Sequence, residues 1–278
     1  MGTVTVHNFS YGLVNPVLGY AMSCLGAFLG LRCVTRARAC TGYARARWLA
    51  LAAVAIGATG IWAMHFIAML GFTIHGQRIL YNVPLTIFSM LIAIAVVGIG
   101  LFIVGFGDGG LPRLLAGGTI FGVGVAGMHY LGMAAMNMTG TMSYRLPLVA
   151  LSVVIAIVAG TVALWIGTWI KGIAATIGAT VVMGIAVTGM HYTGMAALQV
   201  QGGLMPATAI NGMTAAAGVS GATAATFVIP LLLVISLATF LLTLSISLTP
   251  SEDEIRADSE IRRRLDYLEQ RGTPNPGA

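Results

Sequence analysis

Met64-His65-Phe66-Ile67-Ala68-Met69 lies inside an apolar run. Its pattern returns twice, as Met128-His129-Tyr130-Leu131-Gly132-Met133 and as Met190-His191-Tyr192-Thr193-Gly194-Met195. The histidines stand 64 and then 62 residues apart. Two membrane-spanning helices with their loops take up about 60 residues, so this period brings every copy out at the same membrane face. An ionisable side chain inside a bilayer is costly and marks function. Three of them at one depth, each accompanied by thioethers, point to a shared site.

Only 8% of the 278 residues are charged, against about 25% in ordinary soluble domains, and mean hydropathy is +0.92. Apolar runs free of charge lie near 12–31, 48–70, 82–104, 114–136, 147–169, 173–198 and 225–248. Each reaches the roughly 20 residues a helix needs to cross about 30 Å of hydrocarbon. Long continuous runs without two-residue alternation are helices rather than barrel strands. The expected fold is all-α, a polytopic bundle of seven transmembrane helices in the lipid bilayer.

Orientation follows from the basic residues. Arg32, Arg36, Arg38, Arg45, Arg47, Arg113 and Lys171 fall on one side, and only Arg78 and Arg145 on the other. Positive loops stay cytoplasmic, so a multi-pass membrane protein is expected with the N-terminus outside and the C-terminus inside; the family resemblance described below implies a bacterial inner membrane. The net charge of +6 then reflects topology, and a nucleic-acid partner is not expected. The N-terminus lacks a basic n-region, so no cleaved signal peptide is expected. Cys24, Cys33 and Cys40 form no Cys-x-x-Cys pair and read as small apolar residues rather than a disulfide framework.

The even-numbered segments carry the motif and the odd ones do not. This gives three parallel helix-pair repeats followed by a seventh helix, an established way to build membrane folds. Small residues such as Gly122, Gly124, Gly132, Gly184 and Gly194 let helix backbones approach closely. Residues 1–249 read as one transmembrane domain and 250–278 as a charged cytoplasmic tail. In the tail, Ser251 and Glu254 have capping-box spacing, and Ile261, Leu265 and Leu268 recur as on an amphipathic helix. That helix reads first as a solvated or membrane-skimming one, with docking of a cytoplasmic signalling partner as the alternative. The charge-free outer segment 199–223 reads as a cap or a re-entrant stretch. His7 and His75 lie outside the repeats and read as loop residues.

At about 100° per residue, each motif His and the Met four positions later share one helix face. The pairs are His65 with Met69, His129 with Met133, and His191 with Met195, and Met136 is expected to extend the second stripe. The leading Met64, Met128 and Met190 lie about 100° round the helix and are weaker ligand candidates. Imidazole with thioether is a soft donor set that suits copper as Cu(I), and no carboxylate occurs in the seven segments to suit Ca²⁺, Mg²⁺ or Mn²⁺. A lone Met-His pair beside an aromatic is ordinary core filling; three registered copies point to a functional cluster. Haem held by His or His and Met, and a pH switch of clustered histidines, stay open. Gly122-Val123-Gly124-Val125-Ala126-Gly127 has the spacing of a dinucleotide loop, but mid-helix it carries no such meaning.

The repeated Met-His-Tyr-x-Gly-Met string resembles the MHYT domain, a bacterial membrane sensor module, over residues 10–248. The resemblance implies a sensor of six or seven helices whose Met, His and Tyr residues bind copper and through it detect oxygen, carbon monoxide or nitric oxide. Family members often carry cyclic-di-GMP turnover or kinase domains, and a stand-alone, non-enzymatic member is expected here. Three departures stand out: Phe66 where the other copies have Tyr130 and Tyr192, Ala68 where they have Gly132 and Gly194, and no final Met after the third copy. A copper-handling or transport protein and a haem-dependent redox protein are the rival classes.

Overall fold

The computed structural model describes residues 6–74, 78–107, 110–138, 141–169, 172–201, 221–248 and 260–263. Among these, seven helices are long and apolar enough to cross a membrane. They are α1 (Val14–Ala39), α2 (Gly42–Leu70), α3 (Val83–Gly105), α4 (Leu111–Ala134), α5 (Leu146–Trp169), α6 (Ile173–Ala197) and α7 (Ala224–Ile246). The helix starts follow from local chemistry. Pro84, Pro112 and Pro147 sit in the first turns of α3, α4 and α5, where proline costs no hydrogen bond. The Asn82 side chain caps α3 by accepting from the Leu85 N–H at 3.0 Å.

The chain divides into Met1–Thr239 and Phe240–Ala278. Within the first unit, α1 to α6 pack each against the next, and α6 returns to pack on α1. The motif-bearing α2, α4 and α6 meet on the inside through their histidines. α2 is the most enclosed of the seven. Its segment Ala55–Ala63 is π-helical and buried throughout, a geometry that gathers at functional sites. It leads straight into Met64-His65. Trp62 is held there by donation from its indole N–H to Ser89 Oγ at 2.9 Å. Close approach of α1 to α2 depends on Gly26, where a Cβ would overlap the Gly60 backbone.

Three short antiparallel ribbons close the motif end of the bundle. β1 (Val6–His7) pairs with β2 (Thr73–Ile74), β3 (Leu80–Tyr81) with β4 (Met136–Asn137), and β5 (Thr141–Tyr144) with β6 (Leu198–Gln201). On α7, Val228, Leu232, Ile235 and Thr239 form a buried stripe, while Leu233, Val234 and Leu237 are exposed. Such broad apolar exposure on helices of this length is the surface that faces lipid.

Several expectations need adjusting. α4 ends at Ala134, so Met136 lies in β4 opposite Tyr81 and does not extend a helical stripe from His129. The helix stops because the Ala135 carbonyl is taken by the Asn82 N–H at 2.8 Å, which turns the chain into the ribbon. His7 is exposed, but in β1 rather than a loop. His75, most of the 199–223 segment and nearly all of the tail lie outside the described residues, of which 260–263 are helical. The three cysteines are free thiols.

Candidate metal centre

His65, His129 and His191 lie five or six residues before the ends of α2, α4 and α6. This common register places them in one layer near the ribbons. Each is 1% exposed. Their Nδ1 atoms form a triangle: His65 to His191 3.0 Å, His65 to His129 3.1 Å, and His129 to His191 3.3 Å. The rings stand edge to face, with centroids 4.9 to 5.1 Å apart.

Hydrogen bonding alone leaves this triangle unsatisfied. Each vertex is a single atom that either donates or accepts, so at most two of the three edges can pair a donor with an acceptor. The third edge sets like against like. A cation at the centre resolves this, because all three lone pairs can point inward. A point equidistant from the three atoms lies about 1.8 Å from each, so a slight displacement out of the plane gives the usual metal–imidazole distance of about 2.0 Å. The residues present therefore fit a metal ion. They are also the one His, Cys or carboxylate group of that kind found among the described residues.

The second ring nitrogens are fixed in an unusual way. Nε2 of His65 and of His129 is buried without a hydrogen-bond partner among the described residues. A Cβ added at Gly132 would lie 2.6 Å from His65 Nε2, and one at Gly194 would overlap His129 Nε2. The motif glycine of one helix is thus the seat for the imidazole of another. It holds the far edge of the ring and turns Nδ1 to the centre. Leaving a buried donor unpaired costs about 1–3 kcal/mol, a strain that metal ligation at Nδ1 could offset.

The aromatic after each histidine packs edge-on against its own imidazole, at 4.8 Å for Phe66, 4.9 Å for Tyr130 and 4.8 Å for Tyr192. Phe66 therefore fills the same packing role as the tyrosines. The Tyr130 hydroxyl is engaged with Ser152 Oγ on α5 at 2.7 Å, which directs it to a structural bond. Tyr81 covers Phe66 from the ribbon, with ring centroids 6.0 Å apart. Burial pushes its phenol up to about 12, so it stays neutral.

Met69, Met133 and Met195 are buried, as are Met64, Met128, Met190 and Met136. Met64 faces away toward α1, its Cγ 3.5 Å from where a Cβ on Gly19 would stand. Met190 lines a small apolar cavity together with Ile61, Val125, Val187, Phe121 and Met183. Ile61, Val125 and Val187 each precede a histidine of the triangle by four residues, so the cavity lies one layer beneath it. The glycine seats and this cavity were not foreseen from sequence, although Gly132 and Gly194 stood in the motif itself.

Comparison with known proteins agrees with this architecture. Residues 59–117 and 122–179 match the MHYT family, described as a bacterial signalling protein N terminal repeat. The third motif copy lies beyond these two matches. The bifunctional diguanylate cyclase/cyclic di-GMP phosphodiesterase MucR of Pseudomonas aeruginosa is 34% identical over 89% of this chain and 35% of its own length. The cyclic di-GMP phosphodiesterase NbdA of the same organism is 35% identical over 69% of this chain and 25% of its own. The signaling protein YkoW of Bacillus subtilis is 29% identical over 68% and 24%. The chain thus spans about a third or less of these relatives. No solved structure matches it. With its repeat matched twice and seven membrane-length helices, the chain belongs to the MHYT family of bacterial signalling proteins.

Proposed function

We propose that this protein is an integral membrane sensor whose three histidines hold one copper ion as Cu(I). The observation that carries the reading is the Nδ1 triangle, which gathers one imidazole from each repeat. Soft surroundings favour Cu(I) over hard cations: the site is apolar, and thioethers at Met69, Met133 and Met195 share the histidine faces. Haem fits poorly, because rings 4.9 to 5.1 Å apart leave no slot for a macrocycle among them. Bound Cu(I) would supply a soft, redox-active centre for oxygen, carbon monoxide or nitric oxide. The apolar cavity one layer below suits a small apolar ligand of this kind. In this reading the triangle lies near the outer face of the inner membrane, the arginine-rich loops and tail are cytoplasmic, and the chain signals without catalysis of its own.

The test is anaerobic titration of the purified protein with Cu(I) and Zn(II), followed by metal analysis and infrared spectra under carbon monoxide. One copper per chain, held against equimolar zinc and giving a carbonyl stretch, is the expected result. Zinc retained in preference to copper, or a Soret band, would overturn the assignment.

A further inference from the structure

The apolar cavity beneath the triangle takes two wall residues in register from each motif helix. Ile61, Val125 and Val187 form the layer nearer the histidines, and Ile56, Phe121 and Met183 the layer farther from them. Between the two layers the chain advances four residues on α4 and on α6, but five on α2. An α-helix closes each turn on the fourth residue and a π-helix on the fifth. The extra residue of α2 is therefore absorbed by its π-helical segment Ala55–Ala63.

Packing against the following helices gives the same offset. Gly57 of α2 lies on α3, where an added Cβ would stand 2.8 Å from the Ile94 Cα, and Gly122 of α4 lies in the same way on Ile157 of α5. One turn lower, Ala53 faces Gly98 and Gly118 faces Thr161. Ile157 and Thr161 come 63 residues after Ile94 and Gly98, and Gly122 and Gly118 come 65 after Gly57 and Ala53. His129, however, comes only 64 after His65. Since Gly57 and Ile61 both have counterparts, the additional residue falls among Ala58, Thr59 and Gly60. The Thr59 hydroxyl bonds to Thr239 at 2.7 Å, and Gly60 lies against Gly26 of α1. Ala58 is left as the insertion.

This spacing gives α2 two ways to close its turns. With Gly57 held on α3 and every turn α-helical, His65 would be carried about 100° round the axis and about 1.5 Å along it, out of the triangle. With the π turns in place it is a vertex. Hydrogen bonds alone satisfy at most two edges of the triangle, whereas a metal ion engages all three imidazoles. The ion thus binds the π form more tightly, which is the condition for selecting it.

We propose that the inserted Ala58 makes α2 the movable arm of the centre: His65 leaves the triangle in the metal-free chain as the π turns relax, and a metal ion draws it back. The metal-dependent half rests on the metal reading of the triangle; the mobility of metal-free α2 does not.

Hydrogen exchange on the detergent-purified full chain, metal-free and with Cu(I) added anaerobically, tests this. In the metal-free chain, amides 57–63 of α2 should exchange at least tenfold faster than amides 122–127 of α4. Cu(I) should slow the α2 amides at least tenfold and leave those of α4 nearly unchanged. Deletion of Ala58 gives α2 the spacing of α4 and α6; this variant should keep its melting temperature and its copper, and lose the difference between the two segments. Equal protection of the two segments in the metal-free wild type overturns the proposal, and that comparison decides the matter if the deletion variant fails to fold. So does an α2 unaffected by bound copper, or a folded deletion variant that takes no copper or keeps the wild-type difference. Wild type that binds no copper at all would instead refute the metal reading, and the metal-free comparison would still decide whether α2 moves.

Discussion

Gly194 of α6 lies against the Nε2 edge of His129 on α4, in a space where no Cβ fits. Gly132 of α4 stands in the same relation to His65 of α2. A residue that reads as helix-packing filler in the sequence is therefore what aims a neighbouring imidazole. Gly194→Ala should push His129 off the triangle, lowering stability by about 1–3 kcal/mol through overpacking and copper affinity at least tenfold. Gly189→Ala, at a position with open space around the added Cβ, is the control and should do neither. Thermal melting and Cu(I) competition titration measure both effects.

Replacing His65, His129 or His191 by Ala should each abolish stoichiometric copper, because the triangle cannot form from two vertices. A ligand present at about a thousand times its Kd adds about 4 kcal/mol to stability. Wild type should show a copper-dependent rise in melting temperature, and each variant none. A full copper shift retained by all three folded variants would refute a shared site.

Met133→Leu and Met195→Leu remove sulfur at nearly constant volume, so folding should change by less than about 1.5 kcal/mol while Cu(I) affinity falls. Met64→Leu should leave affinity unchanged, since that side chain faces Gly19 on α1. X-ray absorption should show a sulfur contribution in wild type that diminishes in the first two variants. Loss of that contribution in Met64→Leu would reverse the assignment of directions.

The hydroxyls of Thr59 and Thr239 are 2.7 Å apart and buried, joining the π-helical part of α2 to α7. Any signal passed from α2 to α7 would meet this bond. A ligand shifts such an element only through different affinities for its two states. Copper should alter hydrogen exchange in the 251–271 segment, and Thr239→Val should diminish that response while leaving copper content intact. An identical response in the variant would exclude this bond as the connection.

The seven helices, their alternation and the common depth of the histidines were legible in the sequence. Each depends on properties that act residue by residue: apolar length against bilayer thickness, and a repeat period that counts helix pairs. The helix-face argument placed His129 and Met133 correctly on α4 but carried one turn too far at Met136. What ends α4 is the Ala135 carbonyl meeting the Asn82 N–H, a partner 53 residues away that no local pattern records. Met64 read in the sequence as a weaker ligand candidate, able to flank the site or touch the next helix, and its side chain lies beside Gly19 on α1.

By itself, then, the sequence determined that three equivalent histidines would stand at one level among membrane helices, because helical pitch and hydrocarbon thickness leave little choice. Only the tertiary structure decided which nitrogen each presents. Nδ1 faces the centre because a glycine on a different helix receives the Nε2 edge of His65 and of His129, and the close packing of three backbones sets the triangle at 3.0 to 3.3 Å. Contacts between segments remote in sequence carry that information, and they exist only once the helices have packed.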